Sequence, residues 1–189
     1  VELKGKELGV DLGGDRELVG RVVERVKERE LRGYTYEAAD ASFELLLRAE
    51  VEGRPLRYFQ VESWRAILED RLDGTHGNEV TVKLWAKGER IVATAEGNGP
   101  VNALDRALRV ALERIYPQLA RLAVVDYKGR ILEGKHGTQS TTRVLISATD
   151  GRNEWSTVGV AENVIAASWQ ALEDAYTYGL LRAGVEPVE

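Results

Sequence analysis

Cysteine and methionine are both absent, histidine occurs only as His76 and His136, and there are two phenylalanines and four prolines. Without thiols the chain can form no disulfide framework, zinc ribbon, thiol nucleophile or iron–sulfur site. The two histidines stand in no H-x-H or H-x-x-x-H pair, so neither a metal nor a metal-dependent cofactor is expected here. No apolar run approaches the roughly 20 residues of a membrane span, and no signal-peptide pattern is present. The expectation is a cytoplasmic chain with no membrane partner. A sequence that starts at Val1 and lacks methionine reads as a piece of something longer. Positive charge is also in deficit, with 26 Lys+Arg against 31 Asp+Glu for a net −5. That balance argues against a dedicated nucleic-acid binder, which usually carries a basic footprint.

What is present is an ordinary globular composition, 43% hydrophobic and 30% charged over 189 residues. This suits one full domain with a small appendage. Residues 1–52 read as a helical linker subdomain. Asp15 is placed to cap a helix carrying Leu18, Val22, Val26 and the nearby Leu31, which Gly33 stops. Thr35 is placed to cap a second helix through Tyr36, Ala39, Phe43, Leu46 and Leu47. Each apolar stripe needs a partner to bury it, as in a linker that docks on something else. Glu50 to Pro55 mixes charge with a glycine and a proline and marks the boundary.

Residues 53–189 repeat themselves. The segment from Leu72 (Leu-Asp-Gly-Thr-His-Gly) recurs from Leu132 (Leu-Glu-Gly-Lys-His-Gly) at an offset of 60 residues. Tyr58 to Leu68 matches Leu122 to Leu132 at 64, Gly97 matches Gly159 at 62, and Val101 to Leu112 matches Ile165 to Tyr176 at 64. Agreement of successive elements in the same order indicates a duplication. Alternation predicts strands over Tyr58 to Leu68, Val80 to Ala86 and Ile91 to Ala95, then a helix with Pro100 at its first position, ended by Pro117. The second copy predicts strands from Ala123 toward Leu132, over Thr142 to Ala148 and over Glu154 to Gly159, and a helix from near Glu162. The expected fold class is α+β: two β-β-β-α repeats, about 56–117 and 119–183, each sheet covered by a helix on one face.

Few residues suggest chemistry. Gly97-Asn98-Gly99-Pro100 is not a dinucleotide fingerprint, since Asn102 holds its sixth position and the preceding strand is antiparallel. It is either a strand-to-helix turn needing glycine or a helix N-terminus whose N–H groups are suited to donate to a carboxylate. Gly159-Val160-Ala161-Glu162-Asn163 stands at the same place in the second copy. His76 and His136 read as turn-building residues of equivalent Gly-x-His-Gly loops. Ser140, His136 and Asp126 make a triad only on paper, and no catalytic residue is assigned. Tyr58, Phe59, Trp64, Trp85, Trp155 and Trp169 read as core or interface packing rather than a nucleic-acid platform. Arg21 to Arg32 reads as a solvated helix face.

Gly33 to Arg48, Glu96 to Leu104, Gly134 to Thr138 and Thr157 to Leu172 together resemble the 2-isopropylmalate synthase and homocitrate synthase family, most closely its citramalate-forming branch. The resemblance covers essentially the whole chain. It implies the C-terminal linker and the duplicated regulatory domain of an acetyl-CoA-dependent acyltransferase whose metal-binding catalytic barrel lies elsewhere in the same polypeptide. It further implies a homodimer and an end-product amino acid as effector, isoleucine in the citramalate branch and leucine in the isopropylmalate branch. Carried over by position, Gly97, Asn98, Gly99, Pro100 and Val101 would supply one helix end and Leu104 part of an apolar pocket. Gly159, Val160, Ala161, Glu162 and Asn163 would supply the other, with Glu162 or Asp105 as ammonium partners. A structural dimerisation module with no ligand is the other reading.

Overall fold

The computed structural model describes residues 1–132 and 140–188. The element order is α1 (Glu2–Glu7), α2 (Arg16–Leu31), α3 (Asp40–Glu52), β1 (Phe59–Asp70), β2 (His76–Ala86), β3 (Glu89–Glu96), α4 (Pro100–Leu112), a 3-10 turn (Pro117–Arg121), β4 (Ala123–Ile131), β5 (Thr142–Thr149), β6 (Glu154–Ala161) and α5 (Val164–Arg182). The two antiparallel sheets run β1-β2-β3 and β4-β5-β6. The duplicated β-β-β-α order is therefore present, and both copies carry a register shift at matching places, between Val61 and Ser63 and between Val124 and Asp126. The chain divides into two compact units: Val1–Leu56 with Ala123–Tyr178, and Arg57–Leu122 with Gly179–Glu189.

In the unit built on β1-β2-β3, alternation decides the faces. Val80, Val82, Leu84 and Ala86 of β2 and Ile91 and Ala93 of β3 are buried, and α4 packs on these two strands through Leu104, Leu108 and Leu112. Pro100 opens α4 as expected, since proline's missing N–H costs nothing at a first helical position. The helix ends at Leu112, so Ile115 lies beyond it, and Pro117 opens the 3-10 turn. Tyr116 donates its hydroxyl hydrogen to the carbonyl of Tyr58.

The other unit is a three-layer stack. On one face of β4-β5-β6, α5 covers Val144, Ile146 and Ala148. Trp155 Nε1 donates to the Ala175 carbonyl at 3.3 Å, and Thr157 Oγ1 to that of Ala171 at 2.7 Å. On the opposite face, Val158 and Val160 with Leu145 pack into one cluster with Val10, Leu12, Leu18, Val22, Tyr36, Phe43 and Leu47. The linker helices thus find the partner that their stripes require. One helix layer per sheet was expected, and this sheet has helices on both faces. β6 shows why: Trp155, Thr157, Val158, Gly159 and Val160 are apolar or small on both sides, as in a strand buried on both faces.

Two local expectations are corrected. Thr35 does not cap α3, which begins at Asp40 behind Ala39, because residues 34–39 turn so that Tyr36 can pack on Phe43, 5.6 Å between ring centroids. Leu31 is 90% exposed, five residues past Val26 and off the stripe. The second helix starts at Val164, near Glu162 as expected. Asp15 does cap α2, accepting from the N–H groups of Glu17 and Leu18.

Candidate functional site

The two helix ends singled out by sequence are built differently. Ahead of α4, a Cβ at Gly97 would stand 2.5 Å from the backbone nitrogen of Ala103, so only glycine lets the strand end lie against the helix. Gly99 is the N-cap in extended conformation, with no side chain capping the helix and open space where a Cβ would go. Asn98 N–H reaches the side-chain oxygen of Asn102 at 3.3 Å. Val101 is half-buried, Leu104 fully buried, and Asp105 lies 3.9 Å from Arg109 one turn on. This end presents helix N–H groups and their partial positive charge, with the Asn102 side chain folded back onto the chain that enters it.

Ahead of α5 the equivalent residues serve packing. A Cβ at Gly159 would collide with the carbonyl oxygen of Ala167, so α5 lies directly on the β6 backbone. Asn163 Oδ1 accepts from Ala166 N–H at 2.8 Å, so the chain caps this helix itself. Val160 is buried, Ala161 half-buried, Glu162 exposed. An incoming carboxylate would have to displace the Asn163 amide here.

Sequence reasoning missed a cleft of about 690 Å³ at the free edge of β6. Val160, Ala161 and Glu162 line it, together with Arg29, Arg32 and Tyr34 from the end of α2 and Gln170, Glu173 and Asp174 of α5. An edge strand leaves alternate N–H groups without strand partners. Here Val158 N–H donates to Ser42 Oγ at 3.0 Å and Val160 N–H to Gln170 Oε1 at 3.1 Å. Ser42 in turn donates to Asp174 Oδ2 at 2.6 Å, and Tyr34 donates to Gln170 Oε1 at 2.7 Å. Burial pushes the Asp174 carboxyl up from its ordinary 3.8 to about 7, with the Ser42 hydrogen bond pulling the other way. The i, i+4 spacing of Gln170 and Asp174 placed them on one helical face, but nothing local showed that Tyr34 and Ser42 would meet them.

His76 opens β2 opposite Asp70, its Nδ1 3.0 Å from Asp70 Oδ1 on an exposed hairpin. Trp64 and Trp85 lie on opposite faces of their sheet and form no stacking platform. Asp126 pairs with Lys128 at 3.1 Å. His136, with the Gly134 to Thr138 motif, lies outside the described residues. No helix among the described residues is long and apolar enough to cross a membrane.

Comparison with known proteins adds the lineage. Over all 189 residues the chain is 86% identical to (R)-citramalate synthase of Streptomyces coelicolor, of which it spans 35%. It is 43% identical to (R)-citramalate synthase of Aquifex aeolicus over 95% of its length, and 32% identical to that organism's 2-isopropylmalate synthase over 88%. These two alignments span 34% and 30% of the relatives, so the chain corresponds to about a third of each. The model of the LeuA allosteric (dimerisation) domain matches residues 37–180, which takes in α3 and both repeats, and the chain belongs to that family.

Proposed function

We propose that this chain is the C-terminal regulatory and dimerisation region of a citramalate synthase-type acyltransferase, joining acetyl-CoA to pyruvate, and that it binds isoleucine as feedback effector. The observation that carries the reading is the 86% identity to a citramalate synthase along the whole chain. The effector site is the uncapped start of α4. Within Gly97 to Val101, the N–H groups of Gly99 and Val101 and the positive end of the helix would meet the carboxylate, since Gly97 and Asn98 donate to the Asn78 carbonyl and Asn102 Oδ1 and Pro100 has no N–H, and the open space at Gly99 permits close approach. Asp105, in the second turn of the same helix, is the candidate partner for the ammonium group. The self-capped start of α5 is the weaker of the two anion sites. Chemistry belongs to the catalytic barrel of the same polypeptide, and this region supplies dimerisation and regulation.

Calorimetric titration of the chain with isoleucine, leucine and glutamate tests this. Isoleucine and leucine are isomers, so discrimination rests on shape and is worth about 1–3 kcal/mol. Isoleucine is expected to bind most tightly, leucine more weakly and glutamate not at all. Absence of heat with all three at several temperatures would leave a dimerisation module without a ligand.

A further inference from the structure

The free edge of β6 is closed by side chains alone. The linker and α5 meet there through three pairs: Tyr34 with Gln170, Ser42 with Asp174, and Glu44, whose Oε2 accepts from the Tyr178 hydroxyl at 2.7 Å. Gln170, Asp174 and Tyr178 are spaced four residues apart, which keeps them on one face of α5. The linker is thus tied to this helix by a polar seam, one pair to each turn.

Two carboxyls lie in the seam, and their surroundings differ. Glu44 is 4% exposed, with Arg48 donating to Oε1 at 2.8 Å and Tyr178 to Oε2, so both oxygens have donors and the charge has a cation. Asp174 accepts one hydrogen bond, from Ser42, and among the described residues no cation forms an ion pair with it. The charges that face it are Arg29 of α2, whose guanidinium lies 4.8 Å from the Tyr34 ring centroid, and Glu173, its neighbour on α5. Arg32 and Glu162 line the same cleft. Tyr36 before α3 is neutral, its buried hydroxyl pushed up to about 12. Burying a carboxylate that lacks an ion partner and a full set of donors is costly, so this place favours the neutral acid.

What Asp174 holds is a backbone group. Val158 N–H donates to Ser42 Oγ at 3.0 Å, and Ser42 donates in turn to Asp174 at 2.6 Å. Val158 is 2% exposed and Ser42 5%, so no water stands in for either bond while the seam is closed. Ionised in place, Asp174 would have a single hydroxyl to serve its charge. It lines the cleft, so loosening the seam lets water reach it and withdraws Ser42 from Val158.

We propose that Ser42 and Asp174 form a proton-controlled latch: with Asp174 neutral the start of α3 is held on the edge of β6, and ionisation opens the seam and the Val158 N–H to solvent. In the open seam Asp174 is hydrated and titrates as an ordinary carboxyl, whereas the closed seam holds it up to about 7. Opening is therefore favoured as pH rises from the ordinary carboxyl range toward 7, by at most about tenfold per pH unit, and levels off above it.

Amide hydrogen exchange of the chain, followed by NMR and corrected for the intrinsic effect of pH, tests the latch. Between about pH 5 and pH 7 the protection of Val158 should fall by about tenfold or more. Low urea should barely change it, because a local opening exposes little surface, while exchange of Ile146 in the central strand β5 should respond to urea as global unfolding does. In Asp174→Asn the protection of Val158 should stay constant over the same window. Should that variant misfold, the wild type decides: Val158 exchange should level off at the pH where the Asp174 carboxyl carbon signal titrates. The latch is overturned if Val158 matches Ile146 in protection and urea response, if Asp174→Asn keeps the wild-type fall, or if the carboxyl titrates in the ordinary range with Val158 unaffected.

Discussion

At Gly159 a single methyl group would meet the carbonyl oxygen of Ala167, a backbone atom that cannot turn aside as a side chain can. Gly159→Ala must push α5 off β6, and overpacking of this kind costs about 1–3 kcal/mol or more. Gly99 has the opposite surroundings, with open space and an extended backbone that any residue adopts. Gly99→Val should leave the urea midpoint almost unchanged while abolishing isoleucine binding, because a branched side chain would stand over the helix N–H groups. Asp174 carries a pH dependence. Its carboxyl is raised from 3.8 to about 7, so between these values the folded chain holds more proton than the unfolded one. Stability contributed by the protonated form is complete below pH 3.8 and is lost as pH rises toward 7. The slope is at most about 1.4 kcal/mol per pH unit. Asp174→Asn mimics the protonated state and should flatten the stability profile across that window. A variant whose urea midpoints track the wild type from pH 4 to pH 7 would count against this assignment.

The decisive event among the elements is the docking of α2 and α3 on the outer face of β4-β5-β6. Leu47 of α3 is fully buried in that cluster. Leu47→Ala should cost about 2–5 kcal/mol, read as a lowered urea midpoint followed by circular dichroism. Comparison of the two repeats makes this docking partly legible. β3 alternates between buried and exposed residues, whereas β6 is buried on both faces over much of its length. A strand apolar on both sides calls for two covering layers. The sequence placed the helix and strand content well because periodicity and caps are local. It misplaced the start of α3, where tertiary packing of Tyr36 on Phe43 outweighs the capping tendency of Thr35.

For the molecule as a whole, ligand binding and folding are linked. A ligand that binds only the folded state adds about 2.7 kcal/mol at 100 times its dissociation constant. Millimolar isoleucine should therefore raise the melting temperature by several degrees in a calorimetric scan, leucine by less and glutamate not at all. Melting indifferent to both branched-chain amino acids would argue against an effector site.

By itself the sequence determined the duplication, the β-β-β-α order and the proline-led start of α4; the glycines ahead of the helices read there as conformational, and only the structure showed that Gly97 and Gly159 let helix and strand lie in contact. What the sequence determined is short-range, set by alternation and capping within a few residues. Only the tertiary structure decided that the linker covers the second sheet and that side chains satisfy the edge of β6. Tyr34 meets Gln170 across 136 residues of chain, and Ser42 meets Asp174 across 132. Such pairings depend on which surfaces come together when the apolar stripes are buried. No local pattern in either segment specifies its distant partner, so the cleft and the raised Asp174 carboxyl emerge only in the assembled fold.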